Sequence, residues 1–203
     1  MVNSSVLFDN QVPILLNNCC LPAYLFGVLF WLLPLSGYAD EFAAEIKQAE
    51  ITLDGGSYVL SADIVYQLSE KAMEALQNGV PLFWDIQVKI QQQRDVLWNK
   101  TLAEKAIRYR LQYHALLNMY RVRNESNGEI YNFSTLSGAI GLMSAIRDFR
   151  LIEKAELDPE KQYLCVMRVN FDREALPLPL RPIAYINPQW YLSSEWTLCP
   201  LKK

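Results

Sequence analysis

The sequence predicts a β-rich α+β protein: an antiparallel β-sheet or β-sandwich with two short helices, preceded by an N-terminal signal or anchor helix. Three observations carry this reading. Several stretches alternate apolar and polar residues with a period of two, turn signals separate them, and an uncharged apolar run lies near the front. The composition agrees. With 203 residues, 51% hydrophobic and 20% charged, the chain is neither disordered, collagen-like nor a coiled coil. A formal net charge of −3 argues against nucleic acid as a partner. Four cysteines are too few for a disulfide scaffold.

From Met1 to Ala39 there is no Lys or Arg, and the only acid is Asp9. Leu21 to Leu35 (LPAYLFGVLFWLLPL) is uncharged and almost wholly apolar. As a helix it would span about 22 Å, short of the roughly 30 Å hydrocarbon core, and Pro22 and Pro34 shorten it further. Gly37 and Ala39 supply small residues at the −3 and −1 positions of a signal-peptidase site. Residues 1–39 therefore read as a secretory signal cut after Ala39, leaving 40–203 as a single β-rich domain. The first basic residue is Lys47, so the usual basic front region is missing. The alternative is an uncleaved anchor that keeps membrane contact through residues 21–35.

The domain opens with Ala49–Leu53, the turn Asp54-Gly55-Gly56, and a long strand. Tyr58, Leu60, Ala62, Ile64, Tyr66 and Leu68 share one face of that strand, and Ser61, Asp63 and Gln67 the other. Ser69 then caps a helix over about 70–78 that buries Ala72, Met73 and Leu76, with Gly79 as its C′ glycine. Leu82, Trp84, Ile86, Val88 and Ile90 alternate with Asp85, Gln87 and Lys89. Ile107, Tyr109, Leu111 and Tyr113 alternate with Arg108, Arg110, Gln112 and His114. Asn127-Gly128 makes a hairpin of Tyr120–Asn124 and Glu129–Phe133. A second helix follows Ser134 or Thr135 and runs to about Arg147, its face being Leu136, Ile140, Met143 and Ile146 or Arg147. Asp158-Pro159-Glu160 turns into a strand with Tyr163, Cys165, Met167, Val169 and Phe171 on one side and Arg168, Asn170 and Asp172 on the other. One wet face per strand is the mark of an antiparallel sheet. Leu176–Pro182 (LPLPLRP) reads as a polyproline-like edge segment or linker, and Trp190–Trp196 as a closing strand.

No catalytic or cofactor motif is present: no G-x-S-x-G, Walker A, G-x-G-x-x-G, Cys-x-x-Cys or His-x-x-x-His. No cofactor is expected. His114, the single histidine, reads as a solvent-facing strand residue rather than an acid–base group. Cys165 falls on an apolar face and reads as buried and inert. An oxidising compartment would permit a Cys165–Cys199 disulfide, though two separate thiols are favoured. Asp63 and Asp85 face outward and would meet only if their strands were neighbours. The best exposed constellation is basic. Arg108 with Arg110, and Arg121 with Arg123, share strand faces, with Arg168 as a further candidate. Together they would bind carboxylate or phosphate, unless acids such as Glu125 and Glu129 already hold them. Trp190 and Trp196 either plug the core or offer an aromatic platform.

Tyr58–Leu68 (YVLSADIVYQL), Ala75–Val88 (ALQNGVPLFWDIQV), Tyr109–Arg123 (YRLQYHALLNMYRVR), the Leu176–Leu180 prolines and Trp190–Trp196 (WYLSSEW) together resemble an uncharacterised bacterial family, domain of unknown function 4390. Some of its members are labelled proline-rich signal peptide proteins. The resemblance covers nearly all of residues 45–200. It implies an exported proteobacterial protein, periplasmic or anchored to the inner membrane facing the periplasm, with a part in envelope sensing beside a nitrogen-regulation-type sensor kinase. It supplies no active site. The expectation is a non-enzymatic interaction module whose partner is an envelope or membrane protein. The rivals are a periplasmic hydrolase using Asp63, Asp85 or His114, and a small-ligand carrier.

Overall fold

A computed structural model describes residues 43–94, 96 and 98–200. The signal or anchor reading of residues 1–39 lies outside them. Among the described residues there are nine strands and three short α-helices. The strands are β1 (Ala44–Asp54), β2 (Ser57–Tyr66), β3 (Leu82–Gln92), β4 (Lys100–His114), β5 (Met119–Asn124), β6 (Ile130–Phe133), β7 (Ala145–Glu153), β8 (Tyr163–Phe171) and β9 (Thr197–Cys199). The helices are α1 (Glu70–Gln77), α2 (Leu136–Ser144) and α3 (Arg181–Ile186). The strands form two antiparallel sheets, β1-β2-β7 and β6-β5-β4-β3-β8-β9. Their inner faces share one hydrophobic core. The β-rich antiparallel architecture expected from the alternation is thus present.

Strand β3 shows why. Leu82, Trp84, Ile86, Val88 and Ile90 are buried, and every residue between them is half-exposed. It is paired on both edges, with β4 and β8, so its backbone needs no water while its two faces part completely. Trp84 is the joint of the core. Tyr66 of the smaller sheet meets it edge-on at 5.7 Å, Phe171 lies at 5.2 Å, and Trp190 stacks on Phe171 at 6.1 Å. The indole N–H donates to the Leu192 carbonyl at 3.3 Å, which satisfies the one polar atom the ring buries.

The first helix forms as the sequence predicts. Ser69 Oγ accepts from Ala72 N at 3.1 Å, and the same hydroxyl donates to the Gln189 carbonyl at 2.6 Å. One buried side chain therefore caps α1 and ties down the C-terminal segment. Gly79 has φ +81°, and the bonds from Gly79 N to Leu76 O and from Val80 N to Ala75 O complete a Schellman stop. Ala72, Ala75 and Leu76 are buried, and Met73 only partly so.

Four expectations are corrected. The second helix ends at Ser144 rather than near Arg147, because Ala145 and Ile146 pair with Asp63 and Ala62 and open strand β7. Strand β4 begins at Lys100, well before Ile107; Lys100–Ala106 lack alternation, yet register against β3 extends through them. The Leu176–Pro182 stretch is not extended polyproline. Leu176 is buried, and Pro182 stands in the first turn of α3, where its missing N–H costs nothing. Trp190–Trp196 is not a strand. Trp190 ends a 3₁₀ turn, and the Ser194 and Ser193 hydroxyls accept from Val169 N and Phe171 N, both at 2.9 Å, in place of an edge strand's carbonyls.

Replacing Trp84 with Ala should cost about 3–5 kcal/mol of unfolding free energy, because it removes the shared contact of both sheets. Ser69→Ala should cost about 1–2 kcal/mol. Urea denaturation followed by far-UV circular dichroism measures both. Comparable costs for the two variants would contradict the role given to Trp84.

Candidate functional site

The alternation that builds the core also builds the opposite surface. On the outer face of the six-stranded sheet, Asp85 stands across from Arg108, Gln87 across from Arg168, Arg110 across from Arg123, and Gln112 across from Arg121. Two arginine pairs placed on separate strands by sequence thus become one continuous patch, with Lys89 and Arg168 beside it.

Most of this charge is internally paired. Arg108 Nη1 reaches both oxygens of Asp85, at 3.0 and 2.8 Å, and its Nη2 reaches Asp172 at 2.6 Å. Its guanidinium also lies 4.9 Å from the centre of the Phe83 ring. Partial burial works against the Arg108 charge; the hydrogen bonds and charges of Asp172 and Asp85 outweigh it and raise its pKa. Arg110 and Arg123 share Glu125, at 3.1 and 3.3 Å. The Arg123 contact is Coulombic rather than an aligned hydrogen bond, since its Nε is buried without one. Glu129 takes no arginine and instead accepts from Asn127 and Tyr131. The salt-bridge alternative therefore describes Arg108, Arg110 and Arg123.

Two cations differ. Arg121 donates to Asn132 Oδ1 at 2.9 Å, and Arg168 to Gln87 Oε1 at 3.0 Å; neither has a carboxylate partner among the described residues. Arg168 also lies 4.7 Å from the Trp196 ring centre, and Lys89 lies 5.3 Å from it. Trp196 is thereby held on the cationic face, 40% exposed. Trp190 is not there. It is 3% exposed and packed in the core, so the platform reading applies to Trp196 alone. Lys89 against Trp196 and Asp172 against Arg108 were not anticipated as contacts. Asp172 does continue the polar series Arg168, Asn170 along β8, so its side of the sheet was legible.

The groups named for hydrolysis do not converge. Asp63 belongs to the other sheet and pairs with Arg147. Asp85 is engaged by Arg108. His114 lies six residues along β4 from Arg108, about 20 Å at strand rise. A cavity of about 280 Å³ sits by the β1–β2 turn, lined in part by Leu53, Tyr58, Leu157 and Tyr163, not between sheet and helices. Among the described residues no group of three His, Cys, Asp or Glu side chains could hold a metal.

Removing Arg108 leaves two partly buried carboxylates unpaired. Arg108→Ala should lower stability by about 2 kcal/mol, whereas Arg121→Ala should cost less than about 0.5 kcal/mol. Equal urea midpoint shifts for the two variants would overturn this division.

No curated protein and no solved structure matches the chain. A family model does, over residues 41–199, and that span takes in both sheets and the cationic face. The chain belongs to the family described as Domain of unknown function (DUF4390).

Proposed function

We propose that this protein is an exported, non-enzymatic interaction module that docks the outer face of its six-stranded sheet on a carboxylate-bearing segment of an envelope protein. One observation carries the proposal: Trp196, Arg168, Lys89 and Arg121 share an exposed face on which Arg121 and Arg168 lack carboxylate partners among the described residues. A fixed arginine beside an aromatic ring, as Arg168 is beside Trp196, suits an acidic partner, because the guanidinium offers paired donors and the ring adds apolar area at low entropic cost. The salt bridges of Arg108, Arg110 and Arg123 hold the surrounding surface in shape. Export is supported by the apolar run Leu21–Leu35 followed by Gly37 and Ala39. A link to a sensor kinase in the envelope is part of the same reading.

A photo-crosslinking residue placed at Gln87 or Gln112 in the native host should yield a discrete adduct, and one placed at Thr52 of the smaller sheet should not. The R121A/R168A/W196A variant should reduce adduct yield by about tenfold or more, the equivalent of about 1.4 kcal/mol. Undiminished adducts from that variant would remove this face from the account.

A further inference from the structure

Cys165 and Cys199 stand directly opposite each other on β8 and β9. Directly opposed residues of an antiparallel pair have Cα atoms about 4.5–5.5 Å apart, within the roughly 4.4–6.8 Å that a disulfide spans. Both side chains are thiols and both are buried. The two cysteines are far apart in sequence, so the fold alone makes them neighbours.

We infer that Cys165 and Cys199 form a dithiol–disulfide pair that fastens the C-terminal strand to the six-stranded sheet. Strand β9 has three residues and lies at the sheet edge, so its local opening exposes Cys199 while Cys165 stays on a nine-residue strand anchored to β3. The thiols are not equivalent. The neighbouring Cys165 thiol lowers the Cys199 pKa, and the neighbouring Cys199 sulfur, with burial, pushes Cys165 up. Cys199 is therefore the first nucleophile.

The co-reactant is a small-molecule or protein disulfide. The Cys199 thiolate attacks one of its sulfurs, forming a mixed disulfide and expelling one thiolate. Cys165 then loses its proton and attacks Cys199 Sγ, forming the Cys165–Cys199 bond and releasing the second thiol. Two protein thiols are oxidised, and one external disulfide is reduced to two thiols. The closed loop contains α3, Trp190 and Trp196, so oxidation fixes the tail that carries Trp196. This chemistry does not depend on the docking proposal.

The test uses the full-length chain carrying C19S and C20S, equilibrated in glutathione buffers of graded oxidised fraction. Free thiols are trapped by alkylation and peptides mapped by mass spectrometry. The expected result is an intramolecular Cys165–Cys199 link as the main oxidised product. Carboxypeptidase should release the C-terminal residues at least about tenfold more slowly once that link is made. With C165S added, Cys199 should stop at a mixed disulfide with glutathione. With C199S added, Cys165 should react at least about tenfold more slowly than Cys199 does in its counterpart. Circular dichroism checks that both variants fold, and the redox titration needs neither of them. Thiols that remain fully alkylatable in oxidised glutathione, or links found only between molecules, would overturn the inference.

Discussion

The constraint on which the structure depends is that β3 is paired on both edges and apolar on one face only. Two-sided pairing engages its backbone along most of its length, so the strand can run through the middle of the larger sheet. Its apolar face then has to be covered, and Tyr66 and Phe171 close over Trp84 to do so. Trp84 is large enough to touch both sheets and the C-terminal segment at once, through its ring and through its bond to Leu192. The polar face is left to water by the same geometry, and the cation patch is a consequence of that.

Because opposed residues on neighbouring strands meet, that face organises its own charge. Asp85 faces Arg108 by register and Asp172 closes on it from the end of β8, so Arg108 is held from two sides. Glu125 serves two arginines at once. Arg108 is the stabilising member because it holds two partly buried carboxylates at once, and the main effect of the Glu125 pairs is to fix where the Arg110 and Arg123 guanidinium groups point. Arg121 and Arg168 are held by neutral amides and keep their full charge outward, and Arg168 lies next to a tryptophan that the C-terminal segment delivers. The serines before Trp196 set its place by binding the β8 backbone.

How far this could be read in advance depended on the kind of signal each element carries. Strands β2, β3 and β8, α1 with its Ser69 cap and Gly79 stop, and the Gly55-Gly56 and Asn127-Gly128 turns are written locally, in periodicity and turn chemistry. Strand β7 is not, since Ala145–Glu153 continues an apolar helical spacing and becomes a strand only because β2 offers an edge. The first half of β4 is equally silent, being mostly exposed and paired only through β3. For the site, the shared faces of Arg108 with Arg110 and of Arg121 with Arg123 follow from alternation. Their merging into one patch, the approach of Trp196, and the opposition of Cys165 to Cys199 depend on strand order, which no local pattern encodes. Trp190 and Trp196 sit in one aromatic-rich stretch yet end on opposite sides of the sheet, because serine side chains replace regular pairing between them.

The division of the larger sheet into a sealed face and an exposed cationic face is most directly tested by hydroxyl-radical footprinting of the folded protein, read at individual tryptophans. Trp196 and Trp98 should oxidise readily, and Trp84 and Trp190 should react at least about tenfold more slowly, as their burial requires. Oxidation of Trp84 at the rate of Trp196 would contradict the account at its centre, since β3 would then have no protected side.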